Sequence, residues 1–379
     1  MLENFLREEI TKLKSKNLYR SEQDYRTLYK GLIDFASNDY LGLAQNINKQ
    51  NDTSKFMGST GSRLLTGTHN SHQELEKEIA YWKKTEAAIF FGSGYLANIG
   101  SIPALANPRD VIFSDELNHA CILDGIKLSG AKKFFYKHKD LNHLEELIKT
   151  HRDKHQKAFI ISDTVFSMDG DRAEIDKLSA LAKKFDLSLY LDEAHATGIY
   201  GSSGAGLVEE YLDKNLIAQS EIAIQMGTFS KALGVEGGYI AGSNLLIDFL
   251  KNSARSFIFS TAPSPIISKQ ILNNINLIKS NPSQRLKLKG NIEYFRKKLI
   301  ENKIAFSNDH TSIFAIPCKS NQEALAKSSF LISSGFLVLA IRYPTVASPR
   351  LRICLSAKHS KENLDKLLKL LSGVDLANL

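Results

Sequence analysis

Lys231 is the residue in this chain best suited to act as an amine nucleophile. It lies in the stretch Thr228-Phe229-Ser230-Lys231-Ala232-Leu233-Gly234, between the mainly apolar segments 221–226 and 237–241. A lysine at the edge of buried strands loses part of its hydration, which lowers its pKa and makes the neutral amine available for covalent chemistry. Because most lysines are solvated surface charges, other residues must support this interpretation.

A carboxylate, two imidazoles and a hydroxyl also follow apolar runs. Asp192 and His195 come after the run 187–191, His119 comes after 111–113, and Ser167 comes after 159–161. Each has an ordinary alternative, since an aspartate often caps a helix, a lone histidine is often structural and Ser-Met-Asp-Gly-Asp is typical of a turn. Their shared position after strands favours a functional interpretation.

The chain contains two glycine-rich segments, and the first of them could hold a phosphate. Phe91-Gly92-Ser93-Gly94-Tyr95 follows a predicted strand and opens a predicted helix, where backbone N–H groups attract anions. A tight turn explains the same residues. The earlier segment Gly58-Ser59-Thr60-Gly61 predicts a loop and nothing more.

Short apolar runs alternate with amphipathic stretches between Ala87 and Ala241. The predicted strands are 88–91, 111–113, 134–136, 159–161, 187–191, 222–225 and 239–241. Intervening stretches such as 141–150 and 175–185 repeat apolar residues three and four apart and predict helices. This alternation predicts an α/β fold with a mainly parallel central sheet, whose ligands collect beyond the carboxyl ends of the strands. The residues gathered there suit a planar, phosphorylated, electron-withdrawing ring.

The pattern changes after about Thr261. Helical stretches reach Asn302, and strand candidates follow at 313–316, 336–340 and 351–355, with a final helix near 361–371. We therefore predict an N-terminal helical arm over 1–40, a large domain over 41–270 and a smaller C-terminal α/β domain over 271–379.

Composition limits the class of protein. The 379 residues carry a net charge of +8, which favours acidic partners such as phosphates, coenzyme A, an acidic carrier protein or nucleic acid. The three cysteines, Cys121, Cys318 and Cys354, are far apart, so neither a disulfide framework nor a metal site is predicted, and a reducing cytoplasm is the expected location. No targeting segment and no membrane span are predicted. Residues 1–16 favour an exposed amphipathic helix, and the uncharged run 87–108 is broken by glycines and Pro103.

Two functions from other classes fit the sequence poorly. The string Asp192-Glu193-Ala194-His195 also occurs in helicases, but these need a Gly-Lys dipeptide in a phosphate loop, and the chain contains none. A basic nucleic-acid-binding protein would explain the net charge, yet no basic and aromatic residues are interleaved on one stripe. We therefore predict no nucleic-acid partner.

Four separated motifs resemble the α-oxoamine synthase family of enzymes that depend on pyridoxal 5'-phosphate (PLP). They are 34–43, 166–171, 192–198 and 228–231, and the resemblance runs in order from about Leu32 to His359. It implies fold type I of the PLP-dependent transferases, the aspartate aminotransferase-like fold. It also implies a C-acyltransferase that acts as a homodimer with shared active sites.

The resemblance implies a role for each cofactor-site residue. Lys231 would bind PLP covalently and later move the proton at the substrate Cα, Asp192 would pair with the ring nitrogen, and His119 would stack on the ring. The phenolic oxygen would be bound by His195 and Ser167. The phosphate would contact Gly94, Tyr95 and Thr228, together with Thr261 of a second subunit.

The resemblance also implies the substrates. It is closest to members that condense L-alanine with a pimeloyl thioester, carried by coenzyme A or an acyl carrier protein, in biotin biosynthesis. The amino-acid carboxylate would be held by Arg352 and Asn38 with Thr345 nearby, and His119 would face the substrate. Arg20 aligns with an acyl-contacting arginine of the family, although the N-terminal arm is short here. Glycine C-acetyltransferase, 5-aminolevulinate synthase and serine palmitoyltransferase share the cofactor site and stay open as alternatives.

Overall fold

The computed structural model describes residues 2–16, 18–19, 22–28, 31–46 and 57–373. The helices are α1 (Leu2–Ser15), α2 (Tyr25–Leu28), α3 (Asn70–Trp82), α4 (Gly94–Leu105), α5 (Ala120–Ser129), α6 (Leu141–His151), α7 (Ile175–Lys184), α8 (Leu207–Asp213), α9 (Asn244–Ser253), α10 (Arg255–Ile258), α11 (Pro265–Ser280), α12 (Ser283–Glu301), α13 (Asn321–Ser333) and α14 (Lys361–Gly373). The strands are β1 (Ile33–Asp34), β2 (Ala87–Phe91), β3 (Val111–Asp115), β4 (Lys132–Tyr136), β5 (Ala158–Asp163), β6 (Ser188–Asp192), β7 (Ile224–Thr228), β8 (Gly238–Gly242), β9 (Ile313–Pro317), β10 (Phe336–Leu337), β11 (Leu339–Ile341) and β12 (Arg350–Cys354).

These elements form two compact units. The larger unit comprises 38–167 and 172–287, and the smaller one comprises 1–37, 168–171 and 288–379. The limits at 37 and 287 differ from the predicted limits at 40 and 270, because α11 packs on α3 of the larger unit. The predicted separation into three domains stays a prediction.

A seven-stranded sheet of order β2-β8-β7-β6-β5-β3-β4 forms the centre of the larger unit. Neighbouring strands are parallel from β7 to β4, whereas β8 runs antiparallel to both β2 and β7. The prediction of a mainly parallel sheet is confirmed. The nine residues between β7 and β8 explain the antiparallel strand, since a parallel crossover needs a dozen or more.

One face of this sheet buries a continuous apolar core. Alternate residues of the central strands, such as Ile224 and Met226 on β7 and Ile112 on β3, pack with Ile122 and Ile126 of α5. These side chains are at most 3% exposed, and burying one of this size contributes roughly 1.5–3 kcal/mol. This packing fixes the strand ends that carry the site.

The smaller unit contains two short sheets. In one, β9, β12 and β11 are antiparallel in the order β11-β12-β9, and in the other, β1 pairs with β10 in parallel. The single predicted strand 336–340 is therefore wrong: β10 and β11 pair with different partners, so the chain changes sheet between them. The predicted exposed helix near the N-terminus is confirmed, because α1 has no buried residue.

No helix within the described residues has the length and hydropathy needed to span a bilayer. The uncharged run 87–108 forms β2 and α4, as predicted, with Ser93 capping the helix by accepting a hydrogen bond from the N–H of Leu96.

Candidate active site

Several predicted site residues lie at one edge of the large sheet. Asp192 is the last residue of β6 and Thr228 is the last residue of β7, while Lys231 follows three residues later. His119 caps α5 after β3, and α4 begins at Gly94 after β2. Because β2, β3, β6 and β7 share one direction, their carboxyl ends meet at this edge.

Asp192 is a buried carboxylate with defined partners. It is 2% exposed and accepts hydrogen bonds from Asn98 Nδ2 at 2.8 Å and from the backbone N–H of Ala194 at 2.9 Å. The following residue, Glu193, pairs instead with the buried Lys83 and accepts a hydrogen bond from the Val208 N–H at 2.8 Å. Burial opposes the charge on Lys83, but Glu193 outweighs it and raises the pKa of the ammonium. The two carboxylates therefore have separate tasks: Glu193 holds the turn and Asp192 is available for the site.

His119 is placed as a neutral, oriented imidazole. Its Nδ1 accepts a hydrogen bond from the backbone N–H of Cys121 at 3.2 Å. Burial lowers its pKa first, and the positive charge of Lys231 lowers it further against the opposing effect of Asp192. The electrostatic interaction among these three side chains indicates that they belong to one site.

His195 is oriented by a tyrosine that sequence reasoning missed. The Tyr40 hydroxyl lies 2.8 Å from His195 Nδ1 and donates to Asn38 Oδ1 at 3.0 Å. Tyr40 is fully buried and His195 is 6% exposed. The predicted residues Asn38 and His195 are thus joined through Tyr40, 155 residues from His195 in the chain.

The start of α4 has the features of an anion-binding helix terminus. The first N–H groups of a helix have no acceptor within the helix, and here they belong to Gly94 and its neighbours. A Cβ on Gly94 would lie 3.2 Å from the Thr228 Cβ, so glycine lets the helix start against the end of β7. Gly238 opposes Thr228 in the sheet, and a Cβ there would lie 2.6 Å from the Gly94 nitrogen. Both glycines keep this corner open to a ligand.

The remaining predicted residues have different surroundings. Tyr95 is partly exposed and its hydroxyl donates to Asp124 at 2.6 Å, Ser167 is half-buried, and Thr261 is exposed and bridges to Ser62. In the smaller unit, Arg352 is 7% exposed on β12, between Ala315 and Leu339 of the neighbouring strands, and Thr345 is exposed. Arg20 lies outside the described residues.

The donor set fits PLP. The edge offers a buried carboxylate for a ring nitrogen, a neutral flat imidazole for a ring face, a helix start for a phosphate and a lysine for covalent attachment. Sequence reasoning did not single out the side chains that support these groups: Tyr40, Asn98, Cys121 and Asp163. Each of them lies within a few residues of a predicted site residue or at the end of a predicted strand, which is the one signal that could have found them.

Comparison with known proteins places the chain in a family. The family model described as "Aminotransferase class I and II" matches residues 30–371. The chain belongs to that family. A protein of Aquifex aeolicus named "Putative 8-amino-7-oxononanoate synthase" is 41% identical over 98% of both chains. A Bacillus cereus protein of the same name is 43% identical, covering 92% of this chain and 90% of the relative.

Solved structures agree with this membership. An 8-amino-7-oxononanoate synthase of Francisella tularensis superposes with a TM-score of 0.79 at 29% identity, covering 90% of this chain and 97% of the other. A serine palmitoyltransferase of Sphingomonas wittichii gives a TM-score of 0.85 at 26% identity, covering 91% and 88%. The predicted α-oxoamine synthase relationship and fold type I are confirmed, and with them a PLP-dependent enzyme of the acyltransferase kind.

Proposed function

We propose that this chain is an 8-amino-7-oxononanoate synthase, which condenses L-alanine with a pimeloyl thioester and releases carbon dioxide in biotin biosynthesis. The observation that carries the proposal is the Aquifex aeolicus relative of that name, which is 41% identical over 98% of both chains. The arrangement of Asp192, His119 and Lys231 at the sheet edge supports the chemistry.

We assign the cofactor contacts to the residues at that edge. Lys231 attaches PLP, Asp192 faces the ring nitrogen and His119 stacks on the ring, a contact worth roughly 0.5–1.5 kcal/mol by analogy with aromatic pairs. His195 and Ser167 bind the phenolic oxygen. The phosphate is held by Gly94, Tyr95 and Thr228. When bound, PLP supplies an electron-withdrawing ring that disperses the negative charge developing at the Cα of the amino acid.

The residues of the chain have three tasks in the reaction. Lys231 takes the proton from the Cα of L-alanine and later returns one to the product. The negative charge of Asp192 favours a protonated ring nitrogen, since a neighbouring opposite charge shifts a pKa by roughly 1–3 units. Neutral His119 covers the ring without adding a competing positive charge.

We also propose which residues contact the substrates. Arg352 holds the carboxylate of L-alanine, because a guanidinium binds a carboxylate with two parallel hydrogen bonds and so fixes which Cα bond reacts. Asn38 and Thr345 assist, and Arg20 contacts the acyl chain. Overall, a carbon–carbon bond forms between the alanine Cα and the thioester carbonyl carbon, the thiol leaves, and the alanine carboxyl group departs as carbon dioxide.

We further propose a homodimer in which Thr261 reaches the phosphate in the partner's site. A reducing cytoplasm is the proposed location, supported by Cys121, Cys318 and Cys354, which form no disulfide.

The experiment is a titration of the visible absorbance of the purified, PLP-loaded protein with L-alanine, glycine, L-serine and L-threonine. A response selective for L-alanine supports the proposal. A response selective for glycine would leave the family assignment unchanged but indicate the activity of glycine C-acetyltransferase or 5-aminolevulinate synthase. A response selective for L-serine would indicate the activity of serine palmitoyltransferase. Thioesters of coenzyme A and of acyl carrier protein, assayed in parallel, then identify the acyl donor.

A further inference from the structure

Asn98 lies completely buried behind the candidate site, on the second turn of α4. Its Nδ2 donates to Asp192 Oδ2 at 2.8 Å and lies 3.0 Å from the Cys121 sulfur, while its Oδ1 accepts a hydrogen bond of 2.6 Å from the Tyr190 hydroxyl. One amide of α4 therefore contacts two further elements: α5 through Cys121, and β6 through Tyr190 and Asp192.

The chemistry of its partners fixes the orientation of this amide. An ionised carboxylate only accepts hydrogen bonds, so the atom facing Asp192 must be the amide nitrogen. The opposite side then presents Oδ1 to the phenol of Tyr190. Burial raises the pKa of Tyr190, which keeps the phenol protonated and able to donate. The Tyr190 hydroxyl also lies 3.0 Å from the Ser101 hydroxyl of α4.

The second proton of the Asn98 amide connects Asn98 to His119 through Cys121. The Cys121 sulfur accepts this proton in a hydrogen bond and lies 2.9 Å from His119 Nδ1. Burial, followed by the charge of Asp192, raises the pKa of Cys121 to about 12, so the thiol keeps its proton. The Cys121 backbone N–H also donates to Nδ1. Since Nδ1 is the acceptor, neutral His119 carries its proton on Nε2.

We infer that Asn98 is a positioning residue, whose amide holds the Asp192 carboxylate in the orientation that faces the cofactor and ties it through the Cys121 thiol to His119. Asn98 itself touches neither cofactor nor substrate in this assignment. The inference deepens the proposed function, because it rests on Asp192 and His119 being the groups that face PLP.

The electrostatic neighbourhood of Asp192 contains groups from several elements. Those that interact with it are Asp163 at the end of β5, Tyr190 within β6, Cys121 in α5 and His119 at the cap of α5. Lys231, after β7, acts on the same cluster. Asn98 differs from all of these groups because it has no charge at any pH, so replacing it removes a hydrogen bond without adding or removing a titrating group.

The central variant is Asn98→Leu, whose side chain has the same branched arrangement of heavy atoms and no amide. The hydrogen bond from Asn98 fixes one orientation of the Asp192 carboxylate, so its loss leaves the carboxylate free to turn away from the cofactor. We expect kcat to fall about tenfold, the scale of one charge-assisted hydrogen bond, while KM for L-alanine changes less than about twofold, since Asn98 lies away from the proposed alanine contacts.

Two controls separate positioning from packing. Ser101→Ala removes a hydroxyl from the Tyr190 side of the same helix, and Asn291→Leu removes a buried amide of the smaller unit that donates to Ser356 and His359 carbonyls. Both should lower thermal stability without lowering kcat. Asn98→Ser, which keeps one donor, is a milder second variant in case Asn98→Leu does not fold.

A cofactor-free measurement keeps this inference separate from the proposed function. In the PLP-free full chain labelled with ¹⁵N-asparagine, the Asn98 side-chain amide signal should shift on Asp192→Asn and on Cys121→Ala, and stay unchanged on Asn291→Leu. An unshifted signal overturns the inference, as does a folded Asn98→Leu or Asn98→Ser protein with an unchanged kcat. Failure of the wild-type chain to bind PLP would instead contradict the proposed function. The shift of the Asn98 amide signal would still show whether Asn98 contacts Asp192 and Cys121.

Discussion

The Asp163 carboxylate accepts a hydrogen bond of 2.7 Å from the backbone N–H of His119. Asp163 ends β5 beside Asp192 at the end of β6, where the two residues are paired in register. Burial, and then the charge of Asp192, raises the pKa of Asp163 well above its usual value. The Asp163 carboxyl, beside Asp192, thereby holds the loop that carries His119.

This relationship predicts a contrast between two substitutions of Asp163. Asp163→Asn should keep kcat/KM within about threefold, because the amide oxygen of asparagine can still accept the hydrogen bond from the His119 N–H. Asp163→Ala should lower kcat/KM about tenfold, since the His119 N–H loses its buried acceptor at a cost of roughly 1–3 kcal/mol. Steady-state kinetics at pH 7.5 measures both. Equal losses for the two variants would show that the charge of Asp163, and not its acceptor, matters.

Tyr40 provides a second test through its hydrogen bond to His195. Tyr40→Phe removes the hydroxyl 2.8 Å from His195 Nδ1, and we expect kcat/KM to fall between about twofold and tenfold, the range of one buried hydrogen bond. Tyr136→Phe, at the end of β4, is the matched control because Tyr136 is also buried. A comparable loss in the control would remove any special role for Tyr40.

Much of this site could be predicted because strand ends are visible in the sequence. Apolar runs located β2 to β8, and a parallel sheet brings the residues after those runs to one edge. Asp192, His119 and Lys231 were found in this way. The antiparallel direction of β8 could also be predicted from the sequence, since the connection from Thr228 to Gly238 is too short for a parallel crossover.

The supporting side chains could not be predicted because they depend on packing between distant elements. Asn98 reaches Asp192 across 94 residues of sequence, and Tyr40 reaches His195 across 155. Such contacts depend on where α4 lies on the sheet. Its close approach to α5 requires Gly125, where a Cβ would lie 3.0 Å from the Asn98 carbonyl oxygen. The spacing of residues along the sequence does not show how two helices pack against each other.

Arg352 tests the proposed binding of the amino-acid carboxylate. Arg352→Ala should raise KM for L-alanine at least about tenfold, because a charge-assisted hydrogen bond contributes roughly 1.5–3 kcal/mol, while the visible absorbance of bound PLP stays unchanged. Arg350→Ala is the control on the same strand, since Arg350 pairs with Asp169. An unaltered KM in Arg352→Ala would exclude the assigned contact.

The burial of His72 predicts that the folding stability of the protein depends on pH. Its ring is buried in α3, Nδ1 accepts the His69 N–H and Nε2 contacts the Pro263 carbonyl at 2.8 Å. Burial, with the charge of Arg63, lowers its pKa to about 4 from an ordinary value of 6.5. The folded state thus binds fewer protons than the unfolded state between these values, so stability is present above pH 6.5 and is lost as the pH falls towards 4.

The corresponding measurement is urea unfolding at pH 7.5 and pH 4.5 for the wild type and His72→Gln. The variant should show a change in unfolding free energy between the two pH values that is smaller by about 2 kcal/mol. An identical pH dependence in both proteins would mean that His72 does not titrate differently on unfolding.

The most direct test of the proposed activity is detection of its product. The PLP-loaded wild type and Lys231→Ala are each incubated with L-alanine and pimeloyl-coenzyme A or the pimeloyl-acyl carrier protein, and the mixture is examined by mass spectrometry for 8-amino-7-oxononanoate and carbon dioxide. We predict equal amounts of both products from the wild type, and a loss of several orders of magnitude in Lys231→Ala with its fold retained. Near-normal turnover by Lys231→Ala, or no product from the wild type with either thioester, would contradict the assignment.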